Sequence, residues 1–574
     1  MRGLTRPDSR RPATDPSVEP ASDAERPARE TQLDWLVGGL VLVGCAIGQL
    51  ALLQGPHPHD PAKYFQTAVD FPNVPVDYWT LRIGLIAPVR VAVLLFGPSQ
   101  AALYGVPLAM SLLLAGSVYA TMLVLFRNRI AAAAAALVTV LNASYLLNSG
   151  YIFPDTAATA TFAAGFLCLV LGRRRPGGED EGWAPTVAVL CAGVLFGWTY
   201  LIRELSPVLL PAVIAAVWLL RYPWRRIALL AGAAVATASL ELLYGVLRYG
   251  DPLEHARTLL DRREAAIRPA RRSLMERIQE QLNDPLDTIL VFPRLLLTWN
   301  TGWIFILLLA VFVVALVRFR DRRLWLLAAW CFSFWAVMAV FGLWRVPSGE
   351  LIVNVTNIRY WYPIFPPLVM GAFGGLTLLL QEYVSIRRGG LVTATVTAAV
   401  AGLALVPGTV EFSRCAAKDV WRNDPAERWD ELRAWLGSDE AQRYDVLRTD
   451  RFTHKLVPAY TSRTFGGRVW DGEVQRLGPP RLLVTPDPSL RSSLVLVHKP
   501  RFFAAIPNPQ QRLNGLRRLW SPTFVSEDGN MVVLAYDPVT PAEAAARDTS
   551  WTSPPTSRGE AVDGECGLSP YDGS

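Results

Sequence analysis

The sequence predicts a polytopic α-helical membrane protein of about eleven transmembrane helices with a small extracytoplasmic α/β domain at its C-terminal end. Three observations predict it. Of the 574 residues, 51% are hydrophobic and only 18% are charged, below the quarter usual for soluble domains. The apolar residues gather in runs of about 20, the length that crosses the hydrocarbon core of a bilayer. Arginines gather between alternate runs, as short cytoplasmic loops do.

The runs fall near 34–54, 102–126, 130–148, 156–172, 185–201, 206–221, 226–248, 301–317, 324–343, 361–381 and 391–408. Residues 1–33 are rich in Arg, Pro and acids and bury too little apolar surface to order, so they read as a disordered cytoplasmic tail. The first run ends in Gln-Gly-Pro instead of a small-residue cleavage site and reads as a retained helix. Segment 79–97 carries Arg82, Pro88 and Arg90 near its middle; in lipid these are costly, so it reads as an interfacial helix.

The arginines test this count. With the N-terminus inside, alternate short loops hold Arg127, Arg129, Arg173, Arg174, Arg175, Arg221, Arg225, Arg226, Arg318, Arg320, Arg322, Arg323, Arg387 and Arg388, fourteen in all. The opposite short loops hold three: Arg203, Arg345 and Arg359. Counting 79–97 as a span would invert every loop, so the odd number stands and the chain beyond residue 410 is exported. The membrane domain is then 34–410, an α/β domain occupies 411–540, and 541–574 reads as a disordered tail. Apolar runs at 444–447, 481–484, 494–497 and 531–536 supply the strands of that domain, and 424–436 a helix. The external stretch 249–300, with eight arginines and eight acids, reads as an amphipathic helix on the membrane surface.

Net charge is +7 and comes from arginine, since Lys63, Lys418, Lys455 and Lys499 are the four lysines. This skew points to a GC-rich bacterial genome, and hence to the bacterial cytoplasmic membrane. The basic residues sit at helix ends and no nucleic-acid motif is present, which excludes a nucleic-acid partner. Of six cysteines four lie in apolar runs, and none has the CxxC spacing of a zinc or redox site.

Chemistry collects on the outer face. The first external loop carries His57, His59, Asp60, Lys63, Tyr64, Asp70, Asp77 and Arg82. The second ends in Pro154-Asp155, Arg203-Glu204 comes after the fifth run, and Arg359-Tyr360 precedes the tenth. Carboxylates and arginines from separate loops at one membrane face suit a substrate with an anionic head and an apolar tail.

In these features the chain resembles the GT-C class of glycosyltransferases, in the branch of protein O-mannosyltransferases and the lipid A aminoarabinose transferase. The resemblance rests on Asp60-Pro61-Ala62-Lys63-Tyr64 opening the first external loop and Gly97-Pro98-Ser99 before the second span. Pro154-Asp155, Arg203, Arg359-Tyr360 and a soluble domain after the last helix complete it, together covering most of 34–410. It implies a GT-C-like fold and inverting transfer of a sugar from a polyprenyl-phosphate donor to a glycan, lipid or protein acceptor. Asp60 would be the general base and Asp155 a second acid orienting acceptor or sugar. Arg82, Arg203 and Arg359 would bind the phosphate, with Tyr64 and Tyr360 beside them. Where many relatives carry two adjacent acids this chain has His59-Asp60-Pro61. No cofactor is certain from the sequence; a divalent metal stays open, without a paired-acid motif to support it.

Structural readings stand beside these. Asp60 and Asp155 each suit a helix N-cap, Arg203 a partner for Glu204, and Arg359 an interfacial anchor. Two other functions stay open: a lipid-linked sugar transporter, for which Glu241 is the main intramembrane candidate, and a catalytically silent scaffold of envelope assembly.

Overall fold

The computed structural model describes residues 28–56, 60–72, 74, 80–173, 183–203, 206–258, 285–297, 301–341, 344–345, 351–352, 358–383, 389–418, 426–450, 453–465, 467–477, 486–505, 508–547 and 550–554. Among these residues sixteen helices set out the membrane part. They are α1 (Ala28–Ala51), α2 (Asp60–Asp70), α3 (Ile83–Phe96), α4 (Gln100–Phe126), α5 (Arg129–Leu141), α6 (Ala143–Ser149), α7 (Pro154–Leu171) and α8 (Trp183–Ile202). Then come α9 (Leu210–Leu219), α10 (Trp224–Ala238), α11 (Leu240–Tyr249), α12 (Pro285–Leu297), α13 (Gly302–Phe319), α14 (Arg322–Phe341), α15 (Phe365–Tyr383) and α16 (Gly389–Lys418).

Every one of the eleven expected runs is helical. Among the described residues eight helices are long and apolar enough to cross a membrane, and α5 with α6 forms a ninth bent by 59°. The bend has a local cause. Asn142 takes an extended conformation after α5, and its side chain accepts the amide of Tyr145, so it ends one helix and caps the next. The remaining two runs are the short helix Ser206–Leu219 and the 20-residue α14. The protein is a multi-pass membrane protein.

Burial sorts the spans. The span Pro154–Leu171 is 83% buried and the span Ile358–Tyr383 78%, whereas Trp224–Tyr249 is 6% buried. The first is built from Ala, Thr and Gly, small residues that let neighbouring backbones approach. The last turns Val235, Leu243, Val246 and Leu247 outward, where lipid is the solvent.

Segment 79–97 yields α3, whose Ile86, Val89 and Val93 pack inward while Val91, Leu94 and Leu95 face out. Arg90 is not stranded there. Its Nη1 donates to the carbonyls of Ala68 and Val69 (3.0 and 2.8 Å), serving the last turn of α2. The surface-helix expectation for 249–300 fails at α12, where Phe292 and Leu296 are buried and Phe292 packs on Trp335 and Trp361. Residues 259–284 lie outside the described residues.

The C-terminal domain is α/β, as expected. Strands β1 (Trp344–Arg345) and β2 (Leu351–Ile352) form a separate antiparallel pair. The domain's sheet contains β3 (Val446–Thr449), β4 (Glu473–Arg476), β5 (Ser493–His498), β6 (Trp520–Val525) and β7 (Met531–Tyr536) in the order β4-β3-β5-β7-β6. The first three are parallel, and β7 is antiparallel to β5 and β6. The expected strand at 481–484 lies outside the described residues. The tail expectation needs correction: Thr540 and Glu543 form a capping box on the helix Pro541–Ala546, and Trp551 is buried, so packed structure runs past residue 541. The last membrane helix also continues to Lys418, beyond the expected boundary at 410.

This domain is joined to the membrane part through α2–α4. Trp429, Leu432, Tyr460 and Trp470 share one apolar core with Tyr64, Phe65 and Leu85. The Gln100 amide donates to Asp430 (2.7 Å), Arg433 donates to Gln100 (2.8 Å), and the Tyr104 and Tyr460 hydroxyls meet at 3.0 Å. The helix that begins at Asp60 is thus clamped from both sides.

Candidate active site

Asp60 is the first residue of α2, and the buried face of that helix carries Tyr64 one turn on. Arg82, immediately before α3, is buried; it donates to the Tyr64 hydroxyl and lies 5.9 Å from the ring centre. This pair locks α2 to α3. Gly84 brings α3 onto the end of α8: an added Cβ there would stand 2.7 Å from the Ile202 nitrogen. Arg82 and Arg203 therefore arrive from two helices in close contact.

Asp155 is not the cap of α7. Phe153 occupies that position, Pro154 opens the helix, and the Asp155 side chain pairs with Arg203. Arg203 also reaches beyond its neighbour Glu204, which lies outside the described residues. Its guanidinium stands 4.6 Å over the Tyr360 ring. Arg359 lies 5.1 Å from both the Phe153 and Tyr360 rings, and its Nη2 donates to the Tyr360 hydroxyl at 3.2 Å. Aromatic faces on a guanidinium stabilise its charge away from water.

Between the two acids stands Arg359. Its Nη2 is 4.0 Å from Asp60 Oδ2, and its Nε is 3.9 Å from Asp155 Oδ2. The charges of Arg203, Arg359 and Arg82 all reach the Tyr360 hydroxyl. Of the seven residues singled out in the sequence, Asp60, Asp155, Arg203, Arg359 and Tyr360 form one cluster by direct contact, and Tyr64 with Arg82 forms a pair one turn along α2 from Asp60. The acids differ in access: the Asp155 side chain is 3% exposed, that of Asp60 24%. A cavity of about 20 Å³, room for roughly one water, is lined by Asp155, Arg203, Ser206, Phe334, Tyr360 and Pro363.

Sequence reasoning missed Phe153, Ser206 and Phe334. Phe153 had a signal, since an aromatic just ahead of Pro154-Asp155 sits where it can cover whatever the acid binds. Ser206 and Phe334 had none. Asp70, at the far end of α2, is exposed and about 15 Å from Asp60 along the helix. His57, His59 and Asp77 lie outside the described residues. Glu241, two residues past the break between α10 and α11, meets His255 Nδ1 at 2.6 Å.

Among the described residues no three His, Cys, Asp or Glu side chains gather as a metal site. The place between the two carboxylates is already filled by a cation, the guanidinium of Arg359, so these residues do not fit a bridging divalent metal.

A helical membrane part carries this cluster at one end, with a small α/β domain beyond it, the GT-C-like fold expected from the sequence. Among solved structures, the apo form of ArnT from Cupriavidus metallidurans superposes with a TM-score of 0.52 at 13% identity, over 88% of this chain and 98% of that one. The same protein bound to undecaprenyl phosphate gives 0.50 at 12%, over 87% and 98%. The oligosaccharyltransferase AglB of Archaeoglobus fulgidus, in complex with an inhibitory peptide and a dolichol-phosphate, gives 0.42 at 12%, over 88% and 74%. No protein-family model and no curated protein matches the chain.

Proposed function

We propose that this protein is an inverting glycosyltransferase that moves a sugar from a polyprenyl-phosphate donor to an acceptor hydroxyl or amine at the extracytoplasmic face of a bacterial cytoplasmic membrane. The observation that carries the reading is the placement of Arg359 between Asp60 and Asp155, with Arg203 paired to the latter. The fold shared with ArnT, a protein solved with undecaprenyl phosphate bound, supports the donor class.

Each group has a task in the chemistry. A lipid phosphate leaves with the electrons of the anomeric C–O bond and needs no proton to do so. Arg203 and Arg359 supply planar, charge-assisted forks for the phosphate oxygens and stabilise the charge that develops there. Asp155 holds both arginines; its burial among them suits a positioning role better than contact with the acceptor. Asp60, the more open carboxylate, takes the proton of the attacking hydroxyl or amine as that nucleophile reaches the face opposite the phosphate. Arg82 contributes through its bond to Tyr64 and its field at Tyr360.

The test is transfer itself. Purified full-length protein is incubated with a panel of labelled polyprenyl-phosphate sugars, with and without EDTA. The reading expects label to leave one donor class, and EDTA to make no difference because Arg359 already holds the position between the acids. Absence of transfer from every donor, with movement of intact donor across the bilayer, would favour the transporter.

A further inference from the structure

A second cavity is at the other end of the bundle. A groove of about 1000 Å³ runs along α9 between α8 and α10, walled by Phe196, Val213, Val217 and Leu230. Its rim carries two guanidinium groups, Arg221 and Arg322. Arg173 is near enough for its charge, like that of Arg221, to act on Arg322. Two guanidinium groups thus stand at the mouth of an apolar groove, with the charge of Arg173 acting on one of them. Among the described residues no ion pair engages any of them, and Asp321, the acid next to Arg322, is held by Arg323 at 2.6 Å.

Neighbouring polar side chains are used differently. The Tyr222 hydroxyl donates to the Leu169 carbonyl, and Arg226 Nη1 donates to the Gly172 carbonyl at 2.8 Å; both close the turn after α7. Arg221 and Arg322 instead face the space. This end is not the active-site end: Asp155 is the second residue of α7 and Arg173 lies two residues past its end, about 27 Å along the helix. The groove opens where Ile214 and Trp218 are exposed to the lipid phase, so a ligand with acyl chains can enter sideways.

We propose that this groove is a binding site for an anionic bilayer phospholipid, its phosphate between Arg221 and Arg322 and its chains along α9. Charge complementarity selects the occupant, because a zwitterionic lipid offers Arg221 and Arg322 an ammonium as well as a phosphate. The lipid would brace α9, whose other end is capped by Leu209, a residue of the cavity beside Asp155 and Arg203.

The experiment uses the full-length chain in nanodiscs of mixed phosphatidylglycerol and phosphatidylcholine, with native mass spectrometry of the lipids retained. Wild type should keep phosphatidylglycerol in preference to phosphatidylcholine. At an anionic membrane surface each arginine contributes about fivefold to binding, so R221Q/R322Q should lose about 25-fold of that preference, while R221K/R322K keeps most of it. Thermal melting in phosphatidylcholine alone checks that the variants fold; if the double variant does not, R221Q alone should lose about fivefold. Equal retention of the two lipids by wild type, or undiminished preference in the glutamine variants, would overturn the proposal. So would stoichiometric replacement of phosphatidylglycerol by added polyprenyl phosphate.

Discussion

Nη2 of Arg359 lies 4.0 Å from the carboxylate of Asp60, while the rings of Phe153 and Tyr360, each 5.1 Å from the guanidinium carbon, hold the group in place. An arginine so held presents a fixed fork to an incoming phosphate. Arg359→Ala should weaken donor binding, and Arg359→Lys should restore little, because an ammonium lacks the planar pair of donors. Equilibrium binding of a labelled donor analogue checks this; unchanged affinity in the Ala variant would leave Arg359 as an interfacial anchor.

Asp155 and Arg203 act as one unit in this account. Asp155→Asn and Arg203→Gln should each reduce transfer, and the double variant should be little worse than the more impaired single. The coupling should fall within about 0.5–3 kcal/mol, the range for side chains in contact. Fully additive losses in a double-mutant cycle would mean that the two serve separate steps.

How much of this was legible in the sequence depends on the range of the physics involved. All eleven apolar runs are helical because hydrophobic length is a local property that tertiary packing does not overrule. Asp60, Asp155, Arg203 and Arg359 were found because charges next to long apolar runs are few. Their partners were not legible: Arg203 pairs with Asp155, far along the chain, a choice made by where α7 and α8 end. Charge alone suggests a surface helix at 249–300, but Phe292 packs into an aromatic cluster. Strand β4, Glu-Val-Gln-Arg, is an edge strand with no apolar run to announce it. The tail's Ala and Pro suggest disorder, yet Trp551 ties it down.

The close crossing of α3 and α8 sets the spacing of Arg82 and Arg203. Gly84→Ala puts a methyl 2.7 Å from the Ile202 nitrogen, which is backbone and cannot swing aside. Overpacking of this kind costs about 1–3 kcal/mol, and donor affinity should fall with thermal stability. Gly105→Ala, with nothing within 4 Å of the new Cβ, serves as the control and should melt at or above wild type. Equal behaviour of the two variants would remove the crossing from the account.

Sidedness is checked by labelling. In a cysteine-free background, cysteines placed at Ser348 and Ser492 should react with an impermeant reagent on intact cells, and those at Gly177 and Gly389 should not. Reaction at Gly177 would invert the topology and put the acid and arginine cluster on the cytoplasmic side.

The central claim is that Asp60 is the general base. Asp60→Asn keeps the size of the side chain and much of its capacity to start α2, but an amide does not take up a proton at neutral pH. The decisive measurement is the rate of sugar transfer by this variant at saturating donor, beside Asp70→Asn, which alters the exposed end of the same helix. General-base catalysis is worth about 10²–10⁴-fold, so the account predicts a loss of that size for Asp60→Asn with donor binding and folding retained, and little loss for Asp70→Asn. Near-normal transfer by Asp60→Asn would contradict it.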